Sequence, residues 1–195
     1  MKNTLFALWL TIILLIIGCE AKKSNIDTFN KYISAHNSHN VSKTIKCFSN
    51  NATFELPGQD TLLGIDKILS LEEWDAALNS NLKVSSFVER GDTLIVNSII
   101  ERNDLFKNMG IDSVVYNPGT RIVFKDGLIK AIKPSPLLQE SRERIINKLQ
   151  MFMNWAKLVR PDELKVLLPD GKFIYKKKNA IKWVTLLKEW RTWGH

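Results

Sequence analysis

YISAHNSHNVSKTIKCFSNNATFELPG, Tyr32 to Gly58, is the stretch whose reading decides the fold. It reads as the end of one helix, a polar stop, a second short helix and a strand running into a Pro-Gly turn. Upstream, Ile26, Phe29, Ile33 and His36, with Tyr32 alongside, recur at helical spacing and form one stripe of a first helix beginning near Ile26. Asn37 to Asn40, NSHN, ends it. Asn40 then caps a second helix predicted over Val41 to Phe48. Within it Cys47 sits among Val41, Ile45 and Phe48, the place of a buried core thiol. A strand is predicted from Ala52 to Leu56, with Phe54 on one face and Thr53 and Glu55 on the other, until Pro57-Gly58 stops it.

Working outward, helical turns start at Ile65, and Ser70-Leu71-Glu72-Glu73 has the pattern of a capping box opening a further piece to about Leu78. Four strand-like runs follow: Leu82 to Glu89, Thr93 to Asn103, Val114 to Phe124 and Leu128 to Ser135. Gly91-Asp92 and Asp126-Gly127 supply tight hairpin turns. The pattern predicts an α+β fold in which a curved antiparallel sheet wraps around the N-terminal helices and leaves a pocket between the layers. Beyond it, Leu138, Ile145, Leu149, Phe152, Ala156 and Val159 define an amphipathic helix from Leu137 to Val159. Pro161-Asp162-Glu163 opens a short helix, with proline early and acids in the first turn. Pro169 to Tyr175 makes a turn and an extended piece, and a last helix runs from Asn179 to Trp193. Its stripe of Ala180, Trp183, Val184, Leu187 and Trp190 would pack on the preceding domain or lie on a membrane; the helices and turn before it favour packing.

The order and spacing from Tyr32 to Gly58, and onward through about Ser135, resemble the SnoaL-like, or nuclear transport factor 2-like, cone fold, which includes ketosteroid isomerase. That fold hosts isomerases, cyclases, dehydratases and domains that only bind, so it does not assign chemistry. In ketosteroid isomerases an aspartate just before the Pro-Gly turn is the general base, and Leu56 stands there. A tyrosine of the first helix corresponds to Tyr32, and a second, protonated aspartate on a late strand corresponds to Thr120. A leucine abstracts no proton, so the isomerase mechanism does not carry over.

Other candidates come from placement alone. His36 lies one turn beyond Tyr32 on the same helix face, while His39 is in the polar loop and His195 ends the chain. No carboxylate or thiol stands near His36 at ligand spacing in the sequence, so no metal and no cofactor are expected. Glu101 continues a strand of apolar residues and would point inward with Arg102 outward. Phe54, Trp74 and Tyr116 complete the candidate ligand-binding set of Tyr32, His36, Phe54, Trp74, Glu101 and Tyr116. Phosphate loops, nucleophile elbows and metal-ligand clusters are missing from the sequence. The function expected is binding of a small apolar or amphipathic ligand. The alternatives are an isomerase or dehydratase using Tyr32, His36 or Glu101, and a scaffold or homodimer using the open sheet face.

At the N-terminus, Leu5 to Ile17 is an apolar run too short to span a bilayer and of the length of a signal-peptide core. Ile16, Ile17, Gly18 and Cys19 resemble the lipobox of bacterial lipoproteins. The resemblance implies a signal peptide over residues 1–18, Cys19 as an acylated mature N-terminus, and a polar tether over 19–25. The cone domain would then occupy 26–136 and the helical extension 137–195. Membrane attachment through the lipid and residence in the cell envelope follow, at the outer membrane if the cell is Gram-negative, because Glu20 is not the retention aspartate. With Cys19 acylated, Cys47 has no intrachain disulfide partner. The net charge of +8 belongs wholly to residues 141–195, which hold 13 Lys+Arg and 5 Asp+Glu. The charge reads as a solvated face on ordinary helices, with an anionic envelope surface its natural partner where it binds one, and the compartment excludes nucleic acid.

Overall fold

The computed structural model describes residues 24–194, so Cys19, the apolar run before it and His195 lie outside the described residues. No described helix is long and apolar enough to cross a membrane. Helix α1 spans Asn25–Asn37, with the Ser24 side chain accepting from the Asp27 N–H at its start. Asn40 caps α2 as expected, accepting from the Lys43 N–H at 3.1 Å. However, α2 covers only Val41–Ile45, because Phe48 already belongs to β1, Phe48–Phe54. What ends the helix is tertiary: the Cys47 carbonyl accepts from the Ile129 N–H at 2.8 Å, drawing the chain into the sheet.

The hairpins form where the sequence places them. Strand β3, Asn81–Arg90, turns at Gly91-Asp92 into β4, Thr93–Arg102, and β6, Thr120–Lys125, turns at Asp126-Gly127 into β7, Leu128–Lys133. Both residues of the second turn have positive φ, the conformation that a two-residue hairpin loop demands. Three expectations are corrected. First, Val114 to Phe124 is not one strand: β5 is Val114–Val115 and β6 begins at Thr120. Pro118 has no N–H to give a ladder, and Gly119 turns at φ +107°. Second, Ser70 opens no helix, since α3 runs unbroken over Ile65–Ala77 and the Ser70 hydroxyl donates to the Asp66 carbonyl inside it. Third, Asn103 is not strand but the cap of a short helix α4, Asp104–Asn108, accepting from the Phe106 N–H.

The sheet has the order β2-β1-β7-β6-β4-β3, where β2 is Leu62–Leu63, and β5 pairs with β4 beside β6. It is antiparallel except that β1 lies parallel to β7, a pairing possible because α3 and both hairpins intervene between them. Curved and unclosed, the sheet packs its inner face on α1. That layer buries Phe29, Tyr32, Phe48, Leu94, Val96, Ile122, Phe124 and Ile129.

The C-terminal helices α5, Gln139–Val159, α6, Pro161–Leu167, and α7, Lys177–Thr192, do not stand apart. Phe152, Leu167, Trp183, Leu187 and Trp190 form one apolar cluster with Trp74 and Leu78 at the end of α3 and with Met109, Ile111 and Val114 at the sheet rim. Packing of the tryptophan stripe on the cone is therefore observed: Trp183 and Trp190 are each 1% exposed. Between α6 and α7 a turn at Pro169–Gly171 leads into a strap, residues 172–176, without regular structure.

Candidate functional site

The strap matters because of what it covers. Between α1, α3 and the concave sheet lies a cavity of about 290 Å³. Its wall is mostly apolar, and Phe173 and Tyr175 of the strap complete it. Their rings meet Trp74 edge-on, Tyr175 at 5.4 Å and Phe173 at 6.2 Å between centroids. Gln59 donates to the Tyr175 hydroxyl, and Lys172 pairs with Asp60 at 2.7 Å, so the loop after β1 fastens the strap across the mouth.

All six candidate residues line this one cavity: Tyr32, His36, Phe54, Trp74, Glu101 and Tyr116. Helical spacing puts Tyr32 and His36 on the inner face of α1. Strand alternation turns Glu101 inward. There its carboxylate accepts from the Tyr116 hydroxyl at 2.6 Å, from the Asn103 amide at 2.7 Å and from the Ser80 hydroxyl at 3.3 Å. Leu56 and Thr120 also line the wall. Thr120 accepts from the Ser135 N–H at 2.9 Å, so neither position supplies a carboxyl group.

The expectation that His36 lacks carboxylate neighbours is overturned. Its Nδ1 lies 2.9 Å from Glu72 Oε2, with both side chains buried, and Asp75 stands one turn along the same helix. One ligand atom from each of His36, Glu72 and Asp75 falls within 4.8 Å of the others, a donor set of the kind that holds a divalent cation. The sequence held the signal: Ile68, Leu71, Glu72, Asp75 and Leu78 share one stripe of α3, so two acids sit on its apolar face. The false capping box concealed it by assigning Glu72 to a helix start.

The electrostatics follow from burial and crowding. Burial is the largest influence on His36 and lowers it, but the hydrogen bond and charge of Glu72, with Asp75 and Glu101 behind, raise it on balance to about 9. Burial raises the Asp75 carboxyl well above the usual carboxylate range; His36 opposes this, and Glu72 and Glu101 add to it. No hydrogen bond satisfies the Asp75 carboxyl, which faces the cavity. Burial and then the nearby carboxylates likewise push the Tyr32 and Tyr116 phenols up. Tyr175 is pushed up to about 12, again chiefly by burial.

No family model matches the chain, and no curated protein is similar to it in sequence. Among solved structures, an LEH-like epoxide hydrolase of M. tuberculosis is similar with a TM-score of 0.51 at 12% identity, over 71% of this chain and 96% of that one. SalBIII, an epoxide hydrolase/cyclase-like enzyme of pyran ring formation in the polyether salinomycin, is similar with a TM-score of 0.52 at 14% identity, over 60% of this chain and 92% of that one. At such identities the likeness establishes the cone fold that the first helices and strand imply.

Proposed function

We propose that the cone binds a small, largely apolar molecule with one polar end, enclosed beneath the C-terminal strap. The observation that carries this reading is the arrangement of the cavity. Its walls are largely apolar and aromatic, and its ionisable groups Tyr32, His36, Asp75, Glu101 and Tyr116 lie within one another's electrostatic reach. The Asp75 carboxyl opens into the cavity without a side-chain hydrogen bond, so it marks the end where a ligand's polar group would dock. The neutral dye N-phenyl-1-naphthylamine is expected to brighten on binding the soluble domain. Leu56→Trp, which fills the cavity from its wall, should weaken that binding at least roughly tenfold while leaving the fold intact. Equal dye binding by the variant would place the dye elsewhere and remove the reading.

A second reading, acid–base catalysis, is favoured by one feature: Asp75 keeps its proton above the usual carboxylate range, beside the Tyr32 hydroxyl. The ketosteroid isomerase reaction is not the form it would take, since Leu56 offers no base. Turnover of a carbonyl substrate that Asp75→Asn abolishes would establish catalysis, and a variant as active as the parent would dismiss it.

For location we propose the cell envelope, with Cys19 acylated, on the strength of the apolar run and the IIGC junction. Cys19→Ala is expected to move the protein from the membrane to the soluble fraction. A parent protein whose N-terminal peptide carries no lipid mass would refute this.

A further inference from the structure

The chain carries a net charge of +8, yet among the described residues no lysine or arginine lines its cavity. Facing or backing that space are three carboxyl groups, Glu72, Asp75 and Glu101, against a single imidazole, His36. His36 and Glu72 are paired with each other at 2.9 Å. Glu101 has only neutral donors, the hydroxyls of Tyr116 and Ser80 and the amide of Asn103. The Asp75 carboxyl group makes no side-chain hydrogen bond. The cavity is therefore short of positive charge by its own composition, and in a low-dielectric pocket such a shortage is felt strongly. Two buried atoms beside it, His36 Nε2 and Glu72 Oε1, also have no hydrogen-bond partner. The remaining wall is alkyl and aromatic, with Trp74, Tyr116 and Tyr175 presenting rings to the same space. Aromatic faces attract cations and repel anions.

We propose that the ligand is an alkylammonium ion, its ammonium head set against Asp75 and Glu101 and its alkyl body along the apolar wall. This deepens the ligand-binding reading above and rests on it. An anionic ligand would meet carboxylates with no cation to receive it, and a neutral one would leave the charge shortage uncorrected. An ammonium head also offers N–H donors, which the unsatisfied Asp75 carboxyl can accept.

Three probes with one alkyl body and different heads test this: neohexylamine as the ammonium ion, neohexyl alcohol, and tert-butylacetate. By titration calorimetry on the whole soluble domain, the amine is expected to bind roughly tenfold or more tightly than the alcohol, and the carboxylate not at all. Asp75→Asn should lose most of the preference for the amine over the alcohol. Glu101→Gln should weaken the amine more than the alcohol, which keeps the test open even where Asp75→Asn folds poorly. An alcohol or carboxylate that binds as tightly as the amine would overturn the proposal. So would failure of all three probes while N-phenyl-1-naphthylamine still enters the cavity, an outcome that leaves the ligand-binding reading standing. If the dye fails as well, both fall.

Discussion

Removing residues 177–195 is expected to leave a chain that no longer folds cooperatively. Helix α7 contributes Ala180, Trp183, Val184, Leu186, Leu187 and Trp190 to the interior, and Trp183 and Trp190 are among the largest fully buried side chains. Truncating one large aromatic in a core costs about 3–5 kcal/mol, so losing several exceeds the roughly 5–15 kcal/mol that holds a domain together. The loss is felt on the cone as well, because the same cluster includes Trp74, Leu78 and Val114. A single replacement should suffice to measure it. Trp183→Ala is expected to cost about 3–5 kcal/mol in urea unfolding. Trp183→Phe should cost less, since the indole N–H has no hydrogen-bond partner to lose. Lys188→Ala, on the exposed face of the same helix, should stay within about 0.5 kcal/mol. A truncated protein that melts where the full domain does would mean that α7 contributes nothing to the cone, and would return the basic helices to the role of a membrane-facing surface.

Stability should also fall as pH rises from 6.5 to 9, and the buried His36–Glu72 pair should be the cause. His36 is raised in the fold from an ordinary value of 6.5 to about 9, so its contribution is complete below 6.5 and is lost as pH climbs through 9. A rise of that size corresponds to about 3 kcal/mol. Glu72→Gln should therefore be destabilised by about 3 kcal/mol near pH 6, with the difference from the parent shrinking above pH 9. Asp75 acts in the same direction over a lower window. Its raised carboxyl keeps a proton that the unfolded chain gives up, so part of the stability declines as pH leaves the ordinary carboxylate value of 3.8. Asp75→Asn should remove that lower decline and leave the upper one. Urea unfolding across pH separates the two, and a Glu72→Gln profile parallel to the parent's would show that the pair is not what titrates.

Much of this was legible in the sequence because it depends on local periodicity. The Tyr32 to Gly58 stretch contains a helix stripe, an asparagine cap and a Pro-Gly stop, and each acts within a few residues. The same holds for the two hairpin turns. Tyr32, His36 and Glu101 could be read as inward-facing for that reason, since their direction is set by helix and strand phase. Leu56 could be read as the missing base because a resemblance in order and spacing fixed its place beside the turn. The errors occur where a distant element overrides the local pattern. Helix α2 stops early because Ile129 pairs with Cys47, and the Ser70 motif caps nothing because the helix around it packs as one piece on α2, α7 and the sheet.

By itself, then, the sequence determined the layered α+β architecture, the inward phase of the candidate residues, the apolar stripe of the last helix and the placement of the positive charge in the C-terminal third. Only the tertiary structure decided that Glu72 and Asp75 meet His36 from a second helix, that Phe173 and Tyr175 of the strap line the mouth of the cone, and that the cavity of a basic protein is lined by no described lysine or arginine. The physical reason is that side-chain phase follows from the backbone a few residues away. Charge balance in a cavity instead depends on which elements fold together around it, and α1, α3, β4 and the strap lie tens of residues apart in the chain.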